Sequence, residues 1–98
     1  METFNDVIST NQLVLVDFYV TWCGPCKAMH PVLETLKQRL GDRIRIIKVD
    51  VDKHQPTAMQ YGVQAVPTLM LFRNGQQLWR QSGAMPIESL QSIIKSYI

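Results

Sequence analysis

Cys23 and Cys26 are the only cysteines in the chain, and they stand two residues apart in Trp22-Cys23-Gly24-Pro25-Cys26-Lys27. Thiols at this spacing can close and open a disulfide without rearranging the fold. Two other readings of such a pair are inert buried thiols and half of a tetrahedral zinc site. Zinc needs further Cys or His ligands, usually as a second closely spaced pair. None is present: His30 and His54 are isolated and read as helix or loop residues with no catalytic neighbour. The spacing therefore points to a reversible dithiol/disulfide centre and no metal.

The pair also falls where an apolar, strand-like segment from Leu13 to Val20 gives way to a helix-like segment beginning near Pro25. Unpaired backbone N–H groups and the positive end of the helix dipole stabilise a thiolate at such a helix start. The two cysteines are then unequal. Cys23, nearer the helix start, is expected to be exposed and nucleophilic. Cys26, one turn in, is expected to be sheltered and to act as the resolving thiol.

Asp17 is the other residue with chemical content. It lies mid-strand in Leu15-Val16-Asp17-Phe18-Tyr19, where a lone carboxylate is costly to desolvate. Burial raises an acid's pKa toward the range useful for proton transfer.

The segments that must position these groups alternate strand and helix. Phe4, Val7 and Ile8 recur at helical spacing behind a Thr3 cap. The Leu13–Val20 segment is apolar on both faces except at Asp17, as befits the covered centre of a parallel sheet. Ala28, Met29, Val32, Leu33, Leu36 and Leu40 predict a long helix closed by Gly41 and kinked by Pro31. Ile44 to Asp50 reads as a second strand, parallel to the first through a right-handed crossover. A short helix follows from about Pro56 to Gln60. Thr68–Phe72 and Gln76–Ser82 are two more strands, joined as a hairpin by Asn74-Gly75. Pro86 opens a final helix with Ile87, Leu90, Ile93, Ile94 and Tyr97 on its apolar stripe. The fold class is α/β: a mixed sheet of about four strands with helices on both faces.

The 98 residues, 46% hydrophobic and 18% charged, read as one domain over 1–98. Ten basic and eight acidic side chains leave a formal charge of +2, too little to imply nucleic acid or an anionic membrane as partner. The segment Met1 to Asp6 has no basic and apolar signal-peptide pattern, so the expected compartment is the cytoplasm.

The motif around the cysteines resembles the active site of the thioredoxin family. The similarity continues, in family order, through Val16-Asp17-Phe18, Lys48-Val49-Asp50, Val66-Pro67-Thr68, Phe72-Arg73-Asn74-Gly75 and Gly83-Ala84. The resemblance implies the thioredoxin fold and a protein-disulfide reductase. It implies that Asp17 sits behind Cys26 and takes its proton through water, with Lys48 on the neighbouring strand. It implies a cis bond before Pro67, opposite the cysteines, where the Val66 backbone pairs with an extended substrate segment. Trp22, Val66, Gly83 and Ala84 then form an apolar rim around Cys23, and Gly24-Pro25 goes with a reducing centre. The implied partners are disulfide-containing proteins and a thioredoxin reductase drawing on NADPH, with no cofactor bound by the chain. A disulfide oxidase or isomerase, a redox-independent binding subunit and a cluster bridged between two chains are the competing readings.

Two departures from the family pattern stand out. Tyr19 replaces a frequent Trp, keeping a large aromatic body with a polar tip. Met1 falls just before the first helix, so no N-terminal edge strand is expected. The strand from Ile44 should then be exposed at the edge or covered by the first helix; an exposed edge invites a weak dimer in place of a monomer. Trp79 reads as core packing. The methionines read as gap-fillers, with Met29 and Met85 near the substrate groove.

Overall fold

A computed structural model describes all residues from Met1 to Ile98. Its central strand, β1 (Val14–Tyr19), is the constraint that arranges the rest: Val14 through Phe18 retain 0% exposure on both faces. Such a strand needs a neighbour on each side and a layer above and below. The sheet order β2-β1-β3-β4 supplies the neighbours. β2 (Arg45–Asp50) pairs with β1 in parallel, and β3 (Thr68–Arg73) and β4 (Gln76–Ser82) follow antiparallel.

Alternation along β1 divides the core into two layers. Leu13 and Leu15, with Leu69 and Leu71, pack against α2 (Gly24–Leu40) and α4 (Ile87–Lys95). Val14, Val16 and Phe18, with Val49, Met70 and Phe72, face α1 (Phe4–Ile8), which meets them through Val7 and Ile8. Phe4, Phe18, Tyr61 and Phe72 form an aromatic cluster there, with ring centroids 5.4 to 6.1 Å apart. The short helix α3 (Gln55–Gln60) precedes Tyr61.

Helix α2 runs unbroken through Pro31. A proline inside a helix costs about 3 kcal/mol by removing one donor and crowding the preceding turn. Met29, Leu33, Leu36 and Leu40, all buried at helical spacing, each contribute roughly 1.5–3 kcal/mol by burial and outweigh that cost. The helix stops at Gly41, whose φ of +56° favours glycine and whose N–H donates to the Lys37 carbonyl. A single 3-10 turn, Gly41–Arg43, follows; the sequence reading had no element there.

The β3–β4 hairpin turns on Asn74 and Gly75, both at positive φ, +53° and +79°. That geometry matches strand twist and favours Asn-Gly. Their N–H groups donate to the Thr10 and Ile8 carbonyls at 2.8 and 2.9 Å, tying the turn to the end of α1. Beyond it the register slips: Phe72 opposes Gln77 while Leu71 opposes Trp79. Leu78 is the extra residue of a bulge, and Leu78 and Trp79, though adjacent, both pack on the α2/α4 layer. Trp79 is thus a core contact.

The first element is α1, capped reciprocally by Thr3 and Asp6, and β2 forms the sheet edge. Phe4 and Val7 of α1 pack with Ile47 and Val49, covering one face of that edge strand. The Glu2 carboxylate accepts two hydrogen bonds from the Arg45 guanidinium, at 2.7 and 3.1 Å. A cavity of about 460 Å³ lies between α1 and β2, away from the cysteines.

A Cβ on residue 75 would meet only Ser9 Oγ, at 3.5 Å, so the cost of a side chain there is conformational. Gly75→Ala is expected to lower stability by about 1–2 kcal/mol. The denaturant midpoint at unchanged m-value measures it, and an unchanged midpoint would mean the turn does not need its left-handed backbone.

Candidate active site

The cysteines sit on the first turn of α2. Cys23 is its N-cap, with extended backbone (φ −101°, ψ 120°), and its sulfur accepts the Cys26 N–H at 3.1 Å. An oxygen of Ser or Asp normally fills this place. Pro25, in the first turn, brings no N–H that would need a partner. The remaining free amides and the helix dipole surround the Cys23 sulfur with positive potential and stabilise it as a thiolate when the pair is open. The two residues are joined as a disulfide with Cα atoms 5.2 Å apart.

Exposure separates them less than the sequence suggests. Cys26 retains 0% of its surface and Cys23 only 8%, so Cys23 is a nearly covered sulfur rather than an exposed one. The capping geometry is the reason: it turns Sγ inward over the helix end, 3.8 Å from the Val66 carbonyl oxygen, among Val20, Tyr19, Val51 and Val66.

The Val66–Pro67 peptide is cis. The Pro67 carbonyl accepts the Gly83 N–H at 2.8 Å, and Gly83 has φ +95°, which favours glycine. The Thr68 hydroxyl donates to the Ala65 carbonyl at 2.6 Å and meets the Ser82 hydroxyl at 2.9 Å. Arg80 donates to the Tyr61 and Gly62 carbonyls, fixing the loop from its other end. Val66 is thereby held against Cys23, with Pro67 next to it in the chain and bonded to Gly83, and Ala84 exposed beyond. Gly24 and Pro25 are exposed. Trp22 is 75% exposed, and its indole N–H donates to Asp52 Oδ2 at 3.1 Å. Asp52 escaped the sequence reading; an acid just past the β2 terminus, in Asp50-Val51-Asp52, was the available signal. Met29 and Met85 are buried in the main core, where the Met85 N–H meets Met29 Sδ at 3.3 Å, and do not line the surface.

Asp17 lies on the face of β1 covered by α2. It has no exposure and neither carboxylate oxygen has a hydrogen-bond partner. Burial pushes its pKa up to about 6, and the positive charge of Lys48 works in the opposite direction. Lys48 is its register partner on β2. Neither of the chain's two ion pairs involves them: these are Arg39–Glu88 and Arg45–Glu2. The Lys48 ammonium meets His30 Nδ1 instead, at 2.6 Å, so His30 has a charged neighbour that its sequence context did not suggest.

A disulfide capping the helix that covers the central strand, with a cis-proline loop against Cys23, makes this a thiol–disulfide oxidoreductase of the α/β class. The thioredoxin family model matches residues 1–96. The chain is 44% identical to thioredoxin of Bacillus subtilis (strain 168) over 86 residues, covering 88% of this chain and 83% of that one. A mutant thioredoxin from Halobacterium salinarum NRC-1 superposes with a TM-score of 0.86 at 44% identity, over 95% of this chain and 80% of that one. Mitochondrial thioredoxin 3 from Saccharomyces cerevisiae gives 0.85 at 40% identity, over 95% and 86%. The chain belongs to the thioredoxin family, and its activity is that of a protein-disulfide reductase with a Cys23–Cys26 redox centre.

The buried carboxyl makes stability depend on pH. Between its ordinary value of 3.8 and its folded value of about 6, the folded state keeps a proton the unfolded state has released. Stability therefore falls as pH rises through that window, by about 3 kcal/mol above it. Asp17→Asn is expected to stabilise the oxidised protein by up to that amount near pH 7.5 and by little below pH 4. Denaturant unfolding across pH measures it; a gain independent of pH would show that ionisation is not the cause.

Proposed function

We propose that Cys23 attacks and Cys26 resolves. The Cys23 thiolate attacks one sulfur of a substrate disulfide, forming a Cys23–substrate mixed disulfide and releasing one substrate thiolate. The Cys26 thiolate then attacks Cys23 Sγ, closing the Cys23–Cys26 disulfide and releasing the second substrate thiolate. Two electrons pass to the substrate. The observation that carries this order is the unequal seating of the sulfurs: the capping Cys23 keeps some access to solvent and Cys26 keeps none.

Asp17 takes the Cys26 proton during resolution. Its pKa of about 6 leaves it mostly ionised at neutral pH yet still able to hold a proton, as a general base must. Lys48 tunes that affinity by its charge. Trp22, Val66, Pro67, Gly83 and Ala84 form the docking rim, where the Val66 backbone pairs with an extended substrate segment. Main-chain pairing is indifferent to side chains and suits a reductase with many protein substrates. Gly24 and Pro25 set the balance between dithiol and disulfide toward reduction of substrates, which argues against an oxidase or isomerase. Residues 1–98 act as one thioredoxin domain in the cytoplasm, as a monomer or a weak dimer, and a thioredoxin reductase drawing on NADPH returns it to the dithiol form.

Cys26→Ser is expected to accumulate mixed disulfides through Cys23, seen as dithiothreitol-sensitive adducts in non-reducing gels. Cys23→Ser and the double variant should form none and lose insulin-reducing activity. Adducts through position 26 in Cys23→Ser would reverse the assignment. A double variant with full biological activity would mark the chain as a binding subunit.

A further inference from the structure

His30 stands one helical turn beyond Cys26 on α2, half-buried, with the edge of its ring against Tyr19 at a centroid distance of 6.0 Å. The Lys48 ammonium lies 2.6 Å from its Nδ1. An ammonium has three donors and no acceptor, so this contact requires an Nδ1 lone pair and hence a neutral ring protonated on Nε2. The same lysine is the register partner of Asp17, whose two buried oxygens receive no hydrogen bond. One ammonium thus has two candidate seats, an imidazole nitrogen and a carboxylate, and it occupies the imidazole.

We infer that His30 is a positioning residue for the proposed proton acceptor: it holds the Lys48 ammonium off Asp17, and its protonation releases that ammonium to the carboxylate. An imidazolium has no lone pair at Nδ1 and repels Lys48. With Lys48 on His30, the Asp17 carboxylate is unneutralised and takes the Cys26 proton readily. With Lys48 on Asp17, the carboxylate is stabilised and becomes a weaker base. Protonation of the His30 ring therefore slows resolution by weakening Asp17 as a base.

Other ionisable groups near this path are few. Lys48 and Asp50 project from β2, and the Asp50 carboxylate already accepts the Asp52 N–H at 2.9 Å. Asp17 and Tyr19 project from β1. From α2 come Cys26, Lys27, Glu34 and Lys37, of which Glu34 and Lys37 share with Lys48 a shallow hollow of about 170 Å³. Lys37 is committed to the Gly41 and Ile44 carbonyls at 3.0 and 2.7 Å. Glu34 forms no ion pair, so His30 is the only side chain bonded to Lys48.

The inference rests on Asp17 as the base for Cys26, and the test reads the two separately. Carboxyl NMR of Asp17 in the oxidised full chain follows its titration without turnover. His30→Ala is expected to lower the Asp17 midpoint by about half to one pH unit, the low end for an opposite charge brought within 4–6 Å because Lys48 is solvent-exposed. His30→Gln, whose amide oxygen accepts from Lys48 but does not titrate, should keep the midpoint near that of the native chain. In a Lys48→Met background the effect of His30→Ala should vanish. An unchanged or raised midpoint in His30→Ala, or an equal shift without Lys48, overturns the inference. A lowered midpoint with an unaltered pH profile for mixed-disulfide resolution would uphold the hold on Lys48 and remove Asp17 as the base.

Discussion

A strand that must stay dry on both faces governs this molecule. β1 has a neighbouring strand on each side and a helical layer above and below, and the remaining elements extend or cover the sheet built on it. Asp17 breaks that rule. One carboxyl in a strand otherwise made of aliphatic and aromatic side chains carries an electrostatic cost comparable to losing a large core side chain. The fold supports it because Leu13, Val14, Leu15, Val16 and Phe18 bury fully around it. A carboxyl buried at such a cost, on the face covered by the helix that carries the cysteines, is what the proposed proton transfer accounts for.

Position also separates two chemically identical thiols. Cys23 caps α2 and Cys26 is bonded into its first turn, so one sulfur meets the helix's free amides while the other lies within packed side chains. The cis-proline loop, held by Gly83, Ser82 and Arg80, faces the first sulfur with the Val66 carbonyl. In the proposed docking mode, substrate would meet backbone on one side and a polarised sulfur on the other. Neither cavity in the molecule touches the cysteines, which fits a centre that works on protein surfaces.

Local signals were legible in the sequence. Asn74-Gly75, Gly41 and the spacing of Met29, Leu33, Leu36 and Leu40 fixed a turn, a helix end and a buried face, because each acts over a few residues. Cys23, Cys26 and Asp17 were legible because each departs from the pattern around it. The bulge at Leu78 was not: alternation sends Leu78 and Trp79 to opposite faces, and only the opposing strand reveals the slip. Contacts across elements were hidden for the same reason. Trp22 reaches Asp52 and Lys48 reaches His30 through a register that no single segment encodes. The near-complete covering of Cys23 depends on Val66, more than forty positions away in the chain.

The strand order has a consequence for synthesis on the ribosome. β1 lies between β2, which follows it closely, and β3, which ends at Arg73. The β1–α2–β2 unit can assemble as it emerges, yet one edge of its most apolar strand lacks a partner until β3 is made. At roughly 5–20 residues per second that interval lasts a few seconds, with an apolar strand edge open to other chains. β3 closes it by pairing along β1, from Phe72 opposite Val14 to Thr68 opposite Phe18. The nascent chain is therefore most vulnerable to mispairing before β3 leaves the exit tunnel, and a strand made late ends the exposure of the first.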